Sequence, residues 1–206
     1  MRQPIAQRTP ILAALLVLTG CSTTYIPPEP QTAPDSYVQQ RAVQTSQTVQ
    51  ANLNDVWRNI TAYSQERYRT VKQNKSAGQM TLFVDAFEPS SAITCGMIER
   101  RGGSFDTHTE FLSALTRQTP VNLNITVDVK LTAKSATQTL VSVNADYNLA
   151  TGYQTNPGTG AIVGGSRYRF DSKGHAMVNM PGREFAAKCQ PTGSVETGIL
   201  DAAAGN

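Results

Sequence analysis

Three cysteines, two histidines and one tryptophan are all that this 206-residue chain has of those types. The cysteines stand at 21, 95 and 189, a spacing that fits neither a metal knuckle nor a Cys-x-x-Cys redox pair. Beyond the first twenty residues no stretch is long or apolar enough to cross a bilayer, which takes roughly 17 or more apolar residues. No basic stripe interleaves with aromatics, so nucleic acid is not an expected partner. Arg100-Arg101, the only basic doublet, reads as a solvated loop. No internal repeat divides the chain.

What is present begins at the N-terminus. Met1 to Arg8 carries two cations and no acid, and Ile11 to Leu18 is an unbroken apolar run closed by Thr19-Gly20-Cys21. A basic start, a short apolar segment and small residues before a cut make a secretory signal, too short to remain as a spanning helix. Leu18-Thr19-Gly20-Cys21 resembles the lipobox of bacterial lipoproteins. That resemblance implies cleavage before Cys21 and acylation of its thiol and its new amino group. Several acyl chains at about 0.8 kcal/mol per buried methylene would hold such a protein permanently in a leaflet. Ser22 stands where inner-membrane lipoproteins of enteric bacteria carry Asp, so the resemblance points to the outer membrane, with the domain expected to face the periplasm. Cleavage would remove Arg2 and Arg8 and lower the formal charge from +3 to +1.

The expected organisation follows. Residues 1–20 are a cleaved signal, 21–40 a lipidated tether and 41–206 one domain. The tether holds Pro27, Pro28, Pro30 and Pro34 among few apolar residues, which favours a semi-extended spacer. With Cys21 committed to lipid, Cys95 and Cys189 remain as an even pair in a compartment that oxidises thiols, so a disulfide between them is expected.

Within the domain the hydrophobic period changes along the chain. Leu53, Val56, Trp57, Ile60 and Tyr63 recur at helical steps after Asn52, a residue suited to cap a first turn, and Trp57 on that stripe reads as a core anchor. A strand over 42–50 is expected before this helix. After a turn at Lys75-Ser76-Ala77-Gly78 the period becomes two, with Met80, Leu82, Val84 and Ala86 on one face. The clearest alternation places Val121, Leu123, Ile125, Val127, Val129 and Leu131 on one face and Asn122, Asn124, Thr126, Asp128, Lys130 and Thr132 on the other. Val141, Val143, Ala145, Tyr147 and Leu149 repeat the pattern. Pairing 131 with 141 and 123 with 149 keeps both apolar faces together, so a long hairpin with one solvated face is expected. A second hairpin is expected to set Tyr168 and Phe170 against Val178 and Ala176 across Ser172-Lys173-Gly174, with Gly174 left-handed. A helix over 194–204 closes the chain. The fold class expected is α+β: a two-layer, twisted antiparallel sheet covered on one face by two helices.

This layout, with Asp55-Val56-Trp57 at the helix entry, is similar to helix-grip domains, which occur in lipoprotein subunits of the machinery that inserts outer-membrane proteins. The segments Thr94-Cys95-Gly96 and Cys189-Gln190-Pro191-Thr192-Gly193-Ser194-Val195-Glu196 resemble paired segments of uncharacterised proteobacterial lipoproteins. Neither likeness implies a catalytic residue.

Candidates for chemistry are few. Ser104, Asp106 and His108 lack a nucleophile elbow and crowd into an expected polar loop, and Asp106, His108 and Glu110 are a weak metal set. His175 reads as exposed after a turn. The glycines at 158, 160, 164 and 165 match neither a dinucleotide fingerprint nor a phosphate-binding loop, and they join antiparallel strands. No cofactor is expected. Ala161, Ile162 and Val163 put apolar side chains on that loop, and Arg167 and Arg169 alternate beside it, so this region is the expected contact for a protein partner in the envelope. The function expected is a non-enzymatic interaction or assembly module. The alternative is a binding protein for a small apolar ligand held between the first helix and the sheet.

Overall fold

The structure is a computed structural model, and it describes residues 42–85, 87–97, 108–152, 154–180 and 186–206. The expectations for the signal, Cys21 and the tether lie outside the described residues, as do those for Ala86, Arg100, Arg101, Ser104 and Asp106. In chain order the elements are β1 (Ser46–Val49), α1 (Leu53–Gln65), β2 (Arg69–Asn74), β3 (Gln79–Val84), α2 (Pro89–Ala92), β4 (Ile93–Met97), α3 (His108–Gln118), β5 (Val121–Ser135) and β6 (Gln138–Thr151). There follow β7 (Gln154–Thr155), β8 (Ile162–Val163), β9 (Ser166–Asp171), β10 (Ala176–Asn179), β11 (Ala186–Pro191) and α4 (Ser194–Ala204).

The expected two-layer arrangement of one sheet and two helices does not hold. The described chain is β-rich, with strand residues well outnumbering helical ones, and its strands divide among a six-stranded sheet, a three-stranded sheet and a two-stranded ladder beside four helices. The physical reason is visible at two places. First, Phe111, Leu112, Ala114 and Leu115 sit at helical spacing and are buried, so residues 108–118 fold as α3 rather than as polar loop. Second, the strands expected to form a hairpin across residues 172–174 go to different sheets. β9 pairs with β6, whereas β10 pairs with β11. Gly174 does not adopt the left-handed conformation that the expected loop needs, and Asp171 makes the turn by accepting from Lys173 N at 3.0 Å through its side chain.

The long hairpin forms as its pattern dictates. β5 and β6 pair from Val121 with Thr151 to Leu131 with Val141, so Leu123, Ile125, Val127, Val129 and Leu131 share one face with Val141, Val143, Ala145, Tyr147 and Leu149. The preceding turn is set by Gly78, whose φ is +62° and where a Cβ would collide with the carbonyl oxygen of Leu131. On the apolar side α1 lays down Val56, Trp57 and Ile60, all buried. Each such side chain contributes about 1.5–3 kcal/mol by leaving water. Asn52 caps this helix, accepting from Asp55 N at 3.0 Å while its amide donates to the Asp55 carboxylate at 2.7 Å. α4 packs beside α1, and Gly198 permits the approach because a Cβ there would strike the Tyr63 hydroxyl.

The smaller sheet orders β10, β11 and β4. Cys95 and Cys189 are direct cross-strand partners with Cα atoms 4.0 Å apart, and they form the expected disulfide, fully buried. The segments around the two cysteines therefore lie side by side. Thr192 and Ser194 fasten the start of α4 to the end of α2, the Ser194 hydroxyl donating to Ser91 O at 2.7 Å and Thr192 N to Ala92 O at 2.9 Å.

Candidate functional site

The polar face of the large sheet is exposed around Asp128, Lys130 and Asn144 and half-buried toward Asn122 and Asn148. The strand register arranges that face in rows. One row runs Lys72, Thr81, Asp128, Asn144 across β2, β3, β5 and β6. The next runs Asn74, Gln79, Lys130, Ser142, Ser46 and reaches β1. These residues, with Thr45 and Lys173, line an open trough of about 650 Å³. At about 4.8 Å per strand, the span from β2 to β1 is about 19 Å. Asp128 accepts a hydrogen bond from the Thr81 hydroxyl at 2.7 Å. Lys72, Lys130 and Lys173 make no ion pair among the described residues.

Two local irregularities place the cations. A bulge between Thr70 and Lys72 inserts Val71, so Arg69 and Lys72 both fall opposite outward-facing residues, Phe83 and Thr81. Without the extra residue, positions an odd number apart would face opposite sides. The Arg69 guanidinium lies 5.0 Å above the Phe83 ring, adding a cation at the same corner. At the other end β6 has one edge shared by two short strands, β1 and β9, with a gap at Ala145. The Ser172 hydroxyl fills it, accepting from Ala145 N at 2.7 Å, and the turn it anchors carries Lys173 to the rim of the trough.

Beyond that turn a second open hollow of about 590 Å³ is lined by Asp146, Asp171, Arg169 and His175 among others. Asp146 and Asp171 are direct cross-strand partners. Partial burial raises the pKa of the Asp146 carboxyl above the usual aspartate range, and the charges of Asp128 and Asp171 push it the same way. His175 is exposed, as expected.

The residues expected to meet a partner fall on one continuous stretch. β7 and β8 pair as a small ladder, Gln154 with Val163 and Thr155 with Ile162. Asn156 closes its tip, donating through its backbone N to Ala161 O at 2.8 Å and accepting from Gly160 N at 2.8 Å and, through its side chain, from Gly158 N at 2.9 Å. The loop is thus a short ordered arm with Ala161 exposed at its turn. Arg167 and Arg169 follow on β9, both exposed, opposite Ala150 and Asn148. His108 and Glu110 lie in α3, not in a loop, while Ser104 and Asp106 lie outside the described residues. Among the described residues no three His, Cys, Asp or Glu side chains are placed to hold a metal ion.

One buried polar pair escaped the sequence reading. Glu196, fully buried in the first turn of α4, accepts hydrogen bonds from the Tyr147 hydroxyl at 3.0 and 3.1 Å, one proton shared by both carboxylate oxygens. Its position at a helix N-terminus suits a negative charge. Burial, then the charge and hydrogen bond of Glu196, push the Tyr147 phenol far above its ordinary range. Tyr68 moves in the same direction, first through burial and then through Tyr63. The pair ties α4 to the middle of β6.

No family model, no curated protein and no solved structure matches this chain.

Proposed function

We propose that this chain is a lipid-anchored envelope lipoprotein, held at Cys21 in the outer membrane and facing the periplasm, that works as a non-enzymatic interaction or assembly module. The lipobox at Leu18 to Cys21 supports the anchor, and a buried Cys95–Cys189 disulfide is in keeping with export to an oxidising compartment. The observation that carries the interaction role is the ordered arm of β7 and β8, with exposed Ala161 at its turn and exposed Arg167 and Arg169 beyond it. A protein partner in the envelope, not nucleic acid, is the contact this surface suits. The space between α1 and the sheet is occupied by Val56, Trp57 and Ile60, so the alternative of an apolar ligand held there gains no support.

The test is photo-crosslinking in intact cells with the native anchor kept. A crosslinker at Ala161 or Arg169 is expected to capture one recurrent envelope protein, and one at Asp201, exposed on α4, is not. Absence of a recurrent product from both forward positions contradicts the proposal.

A further inference from the structure

The trough on the open sheet face is separate from the arm and stands on different residues. We infer that it is a binding site for an acidic oligosaccharide, a glycan strand with spaced carboxylates lying across β2, β3, β5, β6 and β1. Lys72 and Lys173 stand at its two ends and Lys130 between them, with Arg69 beside Lys72. These cations have no ion-pair partner among the described residues and outnumber Asp128 in the lining, so the face carries net positive charge at intervals rather than one dense patch. Between them the neutral polar side chains include Ser46, Asn74, Gln79, Thr81, Ser142 and Asn144, hydroxyls and amides that both donate and accept. That is the complement of sugar hydroxyls.

Three features favour a glycan over an acidic peptide or a phosphate polymer. The main-chain groups of β3, β5 and β6 are taken up by neighbouring strands on both sides, so a peptide crossing them has no edge to join. The trough runs across the strands and its exposed lining side chains are polar, while Met80, Val129 and Val143 beneath it are buried in the core and offer a peptide no apolar side-chain pocket. Asp128 sits between the end lysines, where it would repel densely spaced phosphates but accept from a hydroxyl. The bulge at Val71 then has a purpose, since it turns Lys72 onto the same face as Arg69.

The experiment is calorimetric titration of the full-length protein in detergent with a uronic-acid tetrasaccharide, with a neutral tetrasaccharide and with a tetraglutamate peptide. The uronate is expected to bind, more weakly as salt is raised, and at least about tenfold more tightly than the neutral sugar or the peptide. Lys130→Gln is expected to weaken it about three- to fivefold, and Lys72→Gln with Lys173→Gln by about tenfold. Arg58→Gln, on α1 and away from the trough, is expected to change nothing. The three lysines are exposed, so the variants keep their fold, checked by unchanged melting. No uronate binding, equal binding of the neutral sugar, tighter binding of the peptide, or affinity indifferent to the lysines each overturns the inference. None of these outcomes bears on the anchor or the arm.

Discussion

Breaking the Cys95–Cys189 bond is expected to lower the melting temperature by about 8–20 °C. The two cysteines are 94 residues apart, and opening a loop of that size frees the unfolded chain by about 4–5 kcal/mol in the loop-entropy treatment. For a domain of this size each kcal/mol moves the midpoint by about 2–4 °C. The loss should also be localised. The bond joins β4 to β11, and α4 begins just beyond β11, whereas β5 and β6 are held by their own long ladder. Hydrogen exchange in a Cys95→Ala, Cys189→Ala double variant should therefore rise first in β4, β11 and α4. Both cysteines are fully buried, so native protein should resist reductant until mild denaturant opens it. Thermal melting followed by circular dichroism, alongside thiol titration of denatured, unreduced protein, measures each part. Free thiols in that titration, or a double variant melting within about 2 °C of the parent, would refute the reasoning.

Tyr147→Phe removes a hydroxyl that donates to the buried Glu196 and should cost about 2–4 kcal/mol by denaturant melting, with Glu196→Gln in the same background recovering part of it. Gly78→Ala should cost at least about 1–3 kcal/mol, since it combines a left-handed φ with a collision against Leu131 O; a neutral result would show that the turn can rearrange. Asp146→Asn should stabilise the fold at neutral pH. The folded-state pKa of Asp146 is raised, so the native state holds its proton more tightly than the unfolded chain and loses stability as pH climbs through that window. The gain should vanish in acid, below the ordinary aspartate range, and a gain that persists there would refute the charge argument.

What the sequence disclosed depended on how local each signal was. Asn52 and the stripe from Leu53 to Tyr63 specify α1 within one segment, and the alternation of β5 and β6 permits one register, so both could be read directly. The Cys95–Cys189 pairing followed from compartment and parity. The partition of β9 and β10 did not follow, because Tyr168, Phe170, Ala176 and Val178 suit a hairpin as well as two separate sheets. The competitor was the free edge of β6, a partner far away in sequence. α3 went unread although Phe111, Leu112 and Leu115 carry its period, because the polar residues from Ser104 to Glu110 dominated that window. The polar side of the trough was legible as Asp128 and Lys130 on a solvated face. Its ends were not, since Lys72 is turned outward by a bulge and Lys173 is delivered by a turn held through Ser172. The Glu196–Tyr147 pair joins residues 49 apart and left no local trace.

Cys21 is the residue on which the proposed anchor depends. Intact mass spectrometry of the mature protein, recovered from fractionated membranes, tests that residue directly. The predicted species begins at Cys21, carries lipid on both the sulfur and the amino group, sediments with the outer membrane, and is lost from it in a Cys21→Ser variant. A mature, unmodified Cys21 in the soluble fraction would contradict it.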